Sequence, residues 1–296
     1  MKQRLLTGFI IAFCLVVLVV AVRWSPPASS SRNVSESIGV IRVEGTLMSG
    51  SGTGLGSNIA SSVEIMEVLQ TAQKRDDIKA VLIRIDSPGG TPVAAQEIGE
   101  EINKLKKVGK PVVASMGDVA ASGAYWIAAS CDEIYANPAT TTGSIGVITE
   151  ITNLKDLLDK LGIRTEVIKS GSYKDMGSSF RELTPQERQL LQGLIDELHG
   201  QFLQQVEKGR RGKMTLEEIR RIADGRVVSG TEARKLGLVD HLGNYYDALD
   251  GAARLAGITG EPAVVELNAV DPWSRLLSRF SLESLLNGAA RMQIRF

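Results

Sequence analysis

One serine in this chain sits where a buried strand turns into a helix, a place that suits a nucleophile. The stretch Ala114-Ser-Met-Gly-Asp-Val-Ala-Ala-Ser-Gly-Ala-Tyr-Trp126 starts on the apolar run Val112-Val113-Ala114, read as a strand ending at Met116-Gly117. A small-residue turn follows. Ser122-Gly123 then opens a second apolar run, Tyr125 to Ala129, long enough for a helix. Among Ala and Gly the Ser122 hydroxyl is uncrowded, and the first turn of a helix leaves backbone N–H groups unpaired. The same position also suits an N-cap, a role that Ser often fills. Taken alone, the stretch favours the cap.

A serine nucleophile needs a base and an oxyanion hole. His199 falls in the middle of an amphipathic helical pattern and His241 in a turn beside Asp240. Neither stands among the small-residue loops, so both read as structural and a Ser-His-Asp triad finds little support. Lysine is the other base such sites use, and with an ordinary pKa of about 10.4 it must be desolvated to act near neutrality. Lys174 is the candidate, in a short loop with Ser172, Tyr173, Met176 and Gly177 after a strand. Spacing alone describes an exposed loop lysine better than a base. Lys169, at the end of that strand, ranks second because the following turn aims it away from the strand tips. Asp86-Ser-Pro-Gly-Gly90 has the form of an oxyanion-hole loop. A buried strand ends there, Pro stiffens the turn, and two glycines permit close approach to backbone N–H groups. An ordinary Pro-Gly turn has the same appearance. Ser87 is set aside as a nucleophile because Pro88 restricts its backbone and no base is near.

The elements that must position these residues alternate at close intervals. Strands are expected over Ile38–Val43, Ile78–Ile85, the run at Val112, Glu133–Ala136, the segment leaving Thr140 toward Ile148, and Thr165–Lys169. Helices are expected over Asn58–Lys74, Thr91–Lys107 and Leu154–Leu161, the last closed by Gly162. Another starts at Thr184-Pro-Gln-Glu187, a capping box with Pro in the first turn. Its apolar side is expected to bury Leu190, Leu191, Leu194, Ile195, Leu198 and Phe202. Such alternation argues for an α/β fold with mostly parallel strands and flanking helices.

Composition narrows the function classes. The 34 basic residues balance 34 acidic ones with no basic stripe, so nucleic-acid binding has no electrostatic footing. Two isolated cysteines, Cys14 and Cys131, and two separated histidines give no metal-ligand spacing. Residues 1–4 form a short basic head. Leu5 to Val22 follows, eighteen residues without a charge, and reads as an uncleaved transmembrane anchor because Arg23-Trp24, not a small-residue cleavage site, comes next. The positive-inside tendency places the N-terminus in the cytoplasm and the remainder outside. Residues 23–37 are a Pro- and Ser-rich tether, 38–260 the folded domain, and 261–296 a tail whose Trp273, Leu276, Leu277 and Phe280 are spaced for an amphipathic helix.

Four pieces in order carry a resemblance: Asp86-Ser-Pro-Gly-Gly90, Ala120-Ala-Ser-Gly-Ala124, Gly143-Ser-Ile-Gly-Val147 and Ser170-Gly-Ser-Tyr-Lys-Asp175. Over about residues 38–255 the chain resembles the short, single-domain form of signal peptide peptidase A, a Ser-Lys serine protease family with a Clp protease/crotonase-like fold. The resemblance implies Ser122 as nucleophile, Lys174 as general base, Ser144 as the group orienting the lysine, and the N–H groups of Gly90 and Gly123 as the oxyanion hole. Ala124 stands where the family often has a second glycine. The resemblance further implies a membrane-tethered dome of eight subunits whose serine and lysine come from neighbouring protomers. Its substrates would be signal peptides and other apolar peptides left in membrane lipid, and no metal or other cofactor would be needed. The rival readings are a stomatin-partner type Ser-Lys membrane protease, a crotonase-like acyl-CoA enzyme, and an inactive scaffold.

Overall fold

The computed structural model describes residues 36–50 and 59–268. The expected anchor over 5–22 and the helical spacing from Trp273 onward lie outside these residues. Among the described residues no helix is long and apolar enough to cross a membrane.

The main sheet is mixed and mostly parallel, in the order β10-β1-β4-β5-β6-β9. Its strands are β1 (Ser37–Glu44), β4 (Ile78–Ser87), β5 (Val112–Ala121), β6 (Glu133–Ala136), β9 (His241–Leu242) and β10 (Ala263–Glu266). β7 (Thr141–Gly143) pairs in parallel with the end of β5 and antiparallel with β8 (Val227–Ser229). A separate two-stranded sheet joins β2 (Thr46–Met48) to β3 (Ile59–Ser61). The first residues of the expected tail therefore include β10, which pairs with β1 at the sheet edge.

Helices cover both faces, which is why the central strands read as nearly unbroken apolar runs. Side chains alternate with period two. Ile38, Val40, Ala80, Leu82 and Val113 face Ala248, Leu249 and Ala252 on α8 (Tyr245–Ala256). Ile41, Val43, Val81, Ile83, Ile85 and Ala114 face the other way. They meet α1 (Ser62–Lys74), α2 (Pro92–Lys107) and α3 (Gly123–Ala129). The remaining helices are α4 (Lys155–Lys160), α5 (Pro185–Gly209), α6 (Leu216–Ile222) and α7 (Gly230–Leu236). α5 opens on the expected capping box of Thr184 and Glu187.

Three expectations are corrected. β5 does not stop at Met116-Gly117 but continues to Ala121. The Asp86 carboxylate accepts from Val119 N–H at 3.1 Å, and Thr140 Oγ1 donates to the Gly117 carbonyl at 2.7 Å. These two long-range bonds draw the small-residue segment back into the sheet. Residues 165–169 form no strand: no neighbouring strand pairs with them, and Ile168 is 96% exposed. The apolar side of α5 is not a core face, because Leu190 and Leu194 are each 51% exposed and only Phe202 and Val206 of its apolar residues are buried.

One ion cluster ties the end of α5 to the sheet. Arg210, 1% exposed, donates to both Asp240 carboxylate oxygens at 2.9 Å and to the Gly237 carbonyl at 2.8 Å. Lys213 also pairs with Asp240, and the same carboxylate accepts from Ile134 N–H at 2.9 Å. Burial pushes the Asp240 pKa up, but Arg210 and Lys213 more than offset this and hold it below the usual carboxylate value. A depressed folded-state pKa contributes stability above the unfolded value, lost as pH falls through the folded one. Asp240→Asn, which leaves the buried Arg210 charge unpaired, is expected to reduce unfolding free energy by about 3 kcal/mol at pH 7. The deficit relative to the parent should shrink below about pH 4. Chemical denaturation across that range checks both; an undiminished deficit in acid would contradict the linkage.

Candidate active site

The corner at Ser122 is strained. Its backbone lies at φ 55°, ψ −125°, a region that residues with a Cβ rarely occupy. Among the described residues the only other non-glycine with positive φ is Ser144, at φ 50°. Both line one cleft of about 680 Å³, together with Gly90 and Gly123. Strain of this kind persists only where surrounding bonds enforce it. Here Ser122 N–H donates to the Gly143 carbonyl at 2.9 Å, and Ser144 N–H donates to the Arg226 carbonyl at 2.8 Å. The single peptide group between Gly143 and Ser144 thus holds both serines, its carbonyl binding Ser122 and its N–H fixing Ser144. The Ser122 side chain makes no capping bond to α3, so the N-cap reading fails and its hydroxyl is left for other work.

The loop 86–90 is packed against this corner with no room for larger residues. A Cβ added at Gly89, whose φ is 99°, would lie 2.8 Å from Ala121 O, Gly123 N and Ser122 Cβ. One added at Gly90 would lie 2.0 Å from the Leu47 carbonyl oxygen. That closeness reflects a backbone bridge: Leu47 N–H donates to Gly89 O at 2.8 Å and Thr91 N–H to Leu47 O at 2.9 Å. Ser87 is fully buried and its hydroxyl accepts from Gly89 N–H at 3.1 Å, so it shapes the loop. The Gly90 N–H has no backbone acceptor among the described residues. Gly90 N lies 3.4 Å from the Cβ position of Gly123, which brings the two glycines together beside Ser122.

The far wall of the cleft comes from α5. Leu191, Ile195, Leu198, His199 and Phe202 line it, and Phe202 packs on Trp126 of α3 with ring centroids 5.2 Å apart. The wall is mostly apolar, with Gln192, Asp196 and His199 as its polar members, and His199 Nε2 is buried without a hydrogen-bond partner among the described residues. The sequence favours a structural over a catalytic role for His199, which stands away from the small-residue loops, and its place in the cleft is not evident from them. Its spacing from Ile195 (i+4) and Phe202 (i−3) sets it on the cleft stripe and was the available signal. His241 stacks on Tyr135 at 4.5 Å and lies away from the cleft. Among the described residues no group of three His, Cys, Asp or Glu side chains could hold a metal ion.

The lysines separate clearly. Lys169 Nζ is engaged by the Asp175 carboxylate at 2.7 Å and the Ser172 carbonyl at 3.0 Å. Lys174 stands on an exposed turn, and its amine has no hydrogen-bond or ion-pair partner among the described residues. It is not among the residues lining the cleft of its own chain.

A strained serine beside two adjacent glycines, facing an apolar cleft, is an arrangement for acyl transfer. The sequence profile of peptidase family S49 matches residues 104–259. The chain belongs to this family. The chain also aligns with a candidate protease of Synechocystis sp., 45% identical over 73% of this chain and 76% of that one. Protease 4 of Haemophilus influenzae is 34% identical over 80% of this chain but only 37% of its own length. A candidate signal peptide peptidase SppA of Enterococcus faecium is 37% identical over 67% of this chain and 57% of its own. The protein is thus an SppA-like peptidase that spans about a third to three quarters of the relatives it matches.

The S49 peptidase makes its strain measurable. Ser122→Gly should be more stable than Ser122→Ala by about 1–3 kcal/mol, because glycine relaxes the backbone while both remove the hydroxyl. Denaturant titration of the two variants checks this, and equal stabilities would mean that the corner is not strained.

Proposed function

We propose that the protein is a membrane-anchored serine endopeptidase that cleaves signal peptides and other apolar peptides with a Ser122–Lys174 dyad. The observation that carries this reading is the strained Ser122, set beside Gly90, Gly123 and Ser144 at one end of an apolar cleft. Ser122 Oγ attacks the peptide carbonyl carbon while the neutral Lys174 amine takes its proton. The N–H groups of Gly90 and Gly123 receive the oxyanion. Lys174 returns the proton to the departing amine as the C–N bond breaks, and water then hydrolyses the ester. Ser144 orients the lysine. The apolar wall of Leu191, Ile195, Leu198 and Phe202 matches a substrate drawn from a membrane segment.

The lysine is supplied by a neighbouring copy. Support comes from the exposed apolar side chains of the segment that carries it, Ile148 (82% exposed), Leu161 (64%), Ile168 (96%) and Phe180, with Leu194 on α5, which a neighbouring copy would cover. A head-to-tail contact of this kind closes into a ring, and a dome of eight subunits with a Clp protease/crotonase-like fold accommodates it. Residues 5–22 anchor the chain in the cell membrane with the N-terminus cytoplasmic and the peptidase domain outside. The tail beyond the sheet lies on the lipid surface or at a subunit contact.

Ser122→Ala and Lys174→Ala are each expected to lower cleavage of an apolar fluorogenic peptide by at least about 1,000-fold. If both retain parental rates, the dyad is wrong. Co-assembly of the two inactive variants in equal amounts should restore roughly a quarter of the parental activity, since each shared site draws at random on two chains. A mixture that stays inactive would place serine and lysine of each site in the same chain.

A further inference from the structure

We infer that Arg181 is a positioning residue for Lys174, clamping the lysine-bearing loop onto the first turn of α5. The inference rests on the Ser122–Lys174 reading above. The loop is built of short turns, Lys174 N–H to Gly171 O at 3.2 Å and Ser178 N–H to Asp175 O at 3.0 Å, with no strand or helix of its own. Such a segment does not by itself hold a side chain in place to the accuracy that proton transfer requires.

Arg181 supplies that accuracy through both edges of its guanidinium. Toward the loop, Nε donates to Asp175 Oδ2 at 2.8 Å and Nη2 donates to Asp175 Oδ1 at 2.7 Å, with a further contact to the Asp175 carbonyl at 3.2 Å. Toward the helix, Nη1 donates to Glu187 Oε2 at 2.8 Å and Nη2 to Glu187 Oε1 at 2.5 Å. Nη1 also reaches the Glu182 carbonyl at 3.0 Å. Asp175 directly follows Lys174 in the chain, so fixing its carboxylate fixes the neighbouring Cα. Glu187 is the capping-box residue of α5 and accepts from Thr184 N–H at 2.9 Å. One helical turn later, Leu191 lines the cleft. Lys169 completes the set by pairing with Asp175 at 2.7 Å from the upstream side.

The arrangement has the marks of a built joint. The Asp175 and Glu187 side chains are 12% and 2% exposed, although every other residue from 148 to 186 lies outside the core. Two cations meet two carboxylates, so the cluster is neutral overall. Arg181 is the first cause holding both carboxyls well below their usual range, so the clamp stays charged at any pH at which a lysine base operates. A lysine at position 181 would offer one point charge in place of a fork that engages two carboxylates at once. Because the hydrogen bonds and ion pairs of the cluster all stay within residues 169–187, off the main sheet, its loss should shift the loop and leave the fold intact.

The test uses the full chain in detergent micelles with an apolar fluorogenic peptide. Arg181→Gln and the isosteric Asp175→Asn are each expected to lower kcat by about 10- to 100-fold while KM stays within about twofold. Melting temperature and oligomer size should match the parent, and Arg181→Lys should recover part of the lost kcat. The inference is overturned if Arg181→Gln keeps kcat within about twofold of the parent, or if the change falls on KM alone. It is also overturned if the kcat loss in both variants comes with a lowered melting temperature or altered oligomer size, which would assign the cluster to folding or assembly. Lys174→Ala in the same assay separates the two readings. Cleavage retained there removes the dyad itself, whereas an inactive Lys174→Ala beside an active Arg181→Gln removes only the clamp.

Discussion

The backbone bridge between Leu47 and Gly90 is the contact on which the cleft depends. It fixes the loop after β4 so closely that a Cβ added at Gly90 would lie 2.0 Å from the Leu47 carbonyl oxygen, and one added at Gly89 would lie 2.8 Å from the Ser122 corner. Those spacings exclude any side chain and set two backbone N–H groups beside one hydroxyl. The loop in turn presses on a serine whose φ of 55° is enforced from the other side by the Gly143 carbonyl. Ser122 is therefore held between two turns that belong to different parts of the sheet. Electrostatic stabilisation by fixed N–H groups works only when they need not reorganise during reaction. Here the rigidity comes from backbone hydrogen bonds, which side-chain substitutions on the surface leave in place.

The molecule divides its labour between that rigid half and an exposed one. Serine, glycine pair and Ser144 stand on strand ends whose flanking helices are packed into a continuous core. Residues 148 to 186 carry almost no buried surface and hold their shape by local turns and the Asp175–Arg181–Glu187 cluster. α5 joins the two halves: Phe202 and Val206 anchor its second half in the core, while its first half projects with Leu190 and Leu194 half-exposed. A 25-residue helix spans about 37 Å at 1.5 Å per residue, so it carries position from the core out to the arm with little bending.

The central layers were legible because period-two and period-3.6 patterns report burial directly, as in Ile78–Ile85 and Thr91–Lys107. The Pro-Gly-Gly loop and the Ser-Gly corner were legible for a different reason, since glycines at a close approach leave no alternative residue. What escaped depended on distant partners. β5 runs past Gly117 because Asp86, 33 residues before Val119, and Thr140, 23 residues after Gly117, complete its ladder. Residues 165–169 have the composition of a strand but no neighbour to pair with. Leu190 and Leu194 follow a helical stripe that sequence alone assigns to a core, and periodicity does not distinguish a core from a surface awaiting a partner. His199 was hidden by the same limit, being a polar residue on the stripe that faces the cleft.

Ser122 and Lys174, the proposed nucleophile and base, stand on opposite sides of that divide, and this has a physical consequence. A lysine amine is available as a neutral base near neutrality only where water is kept from it, and Lys174 stands on an exposed turn. Desolvation must then come from whatever covers the arm. If the cover is the cleft of another copy, the surface that buries Leu161 and Ile168 also removes water from the amine and delivers it to a serine. Under the proposed dyad, assembly and activation become one event, because an unassembled chain already holds Ser122 and the loop 86–90 in place while Lys174 stays exposed. For a peptidase working in the proposed way this is a safeguard, since the dyad is complete only where copies have met.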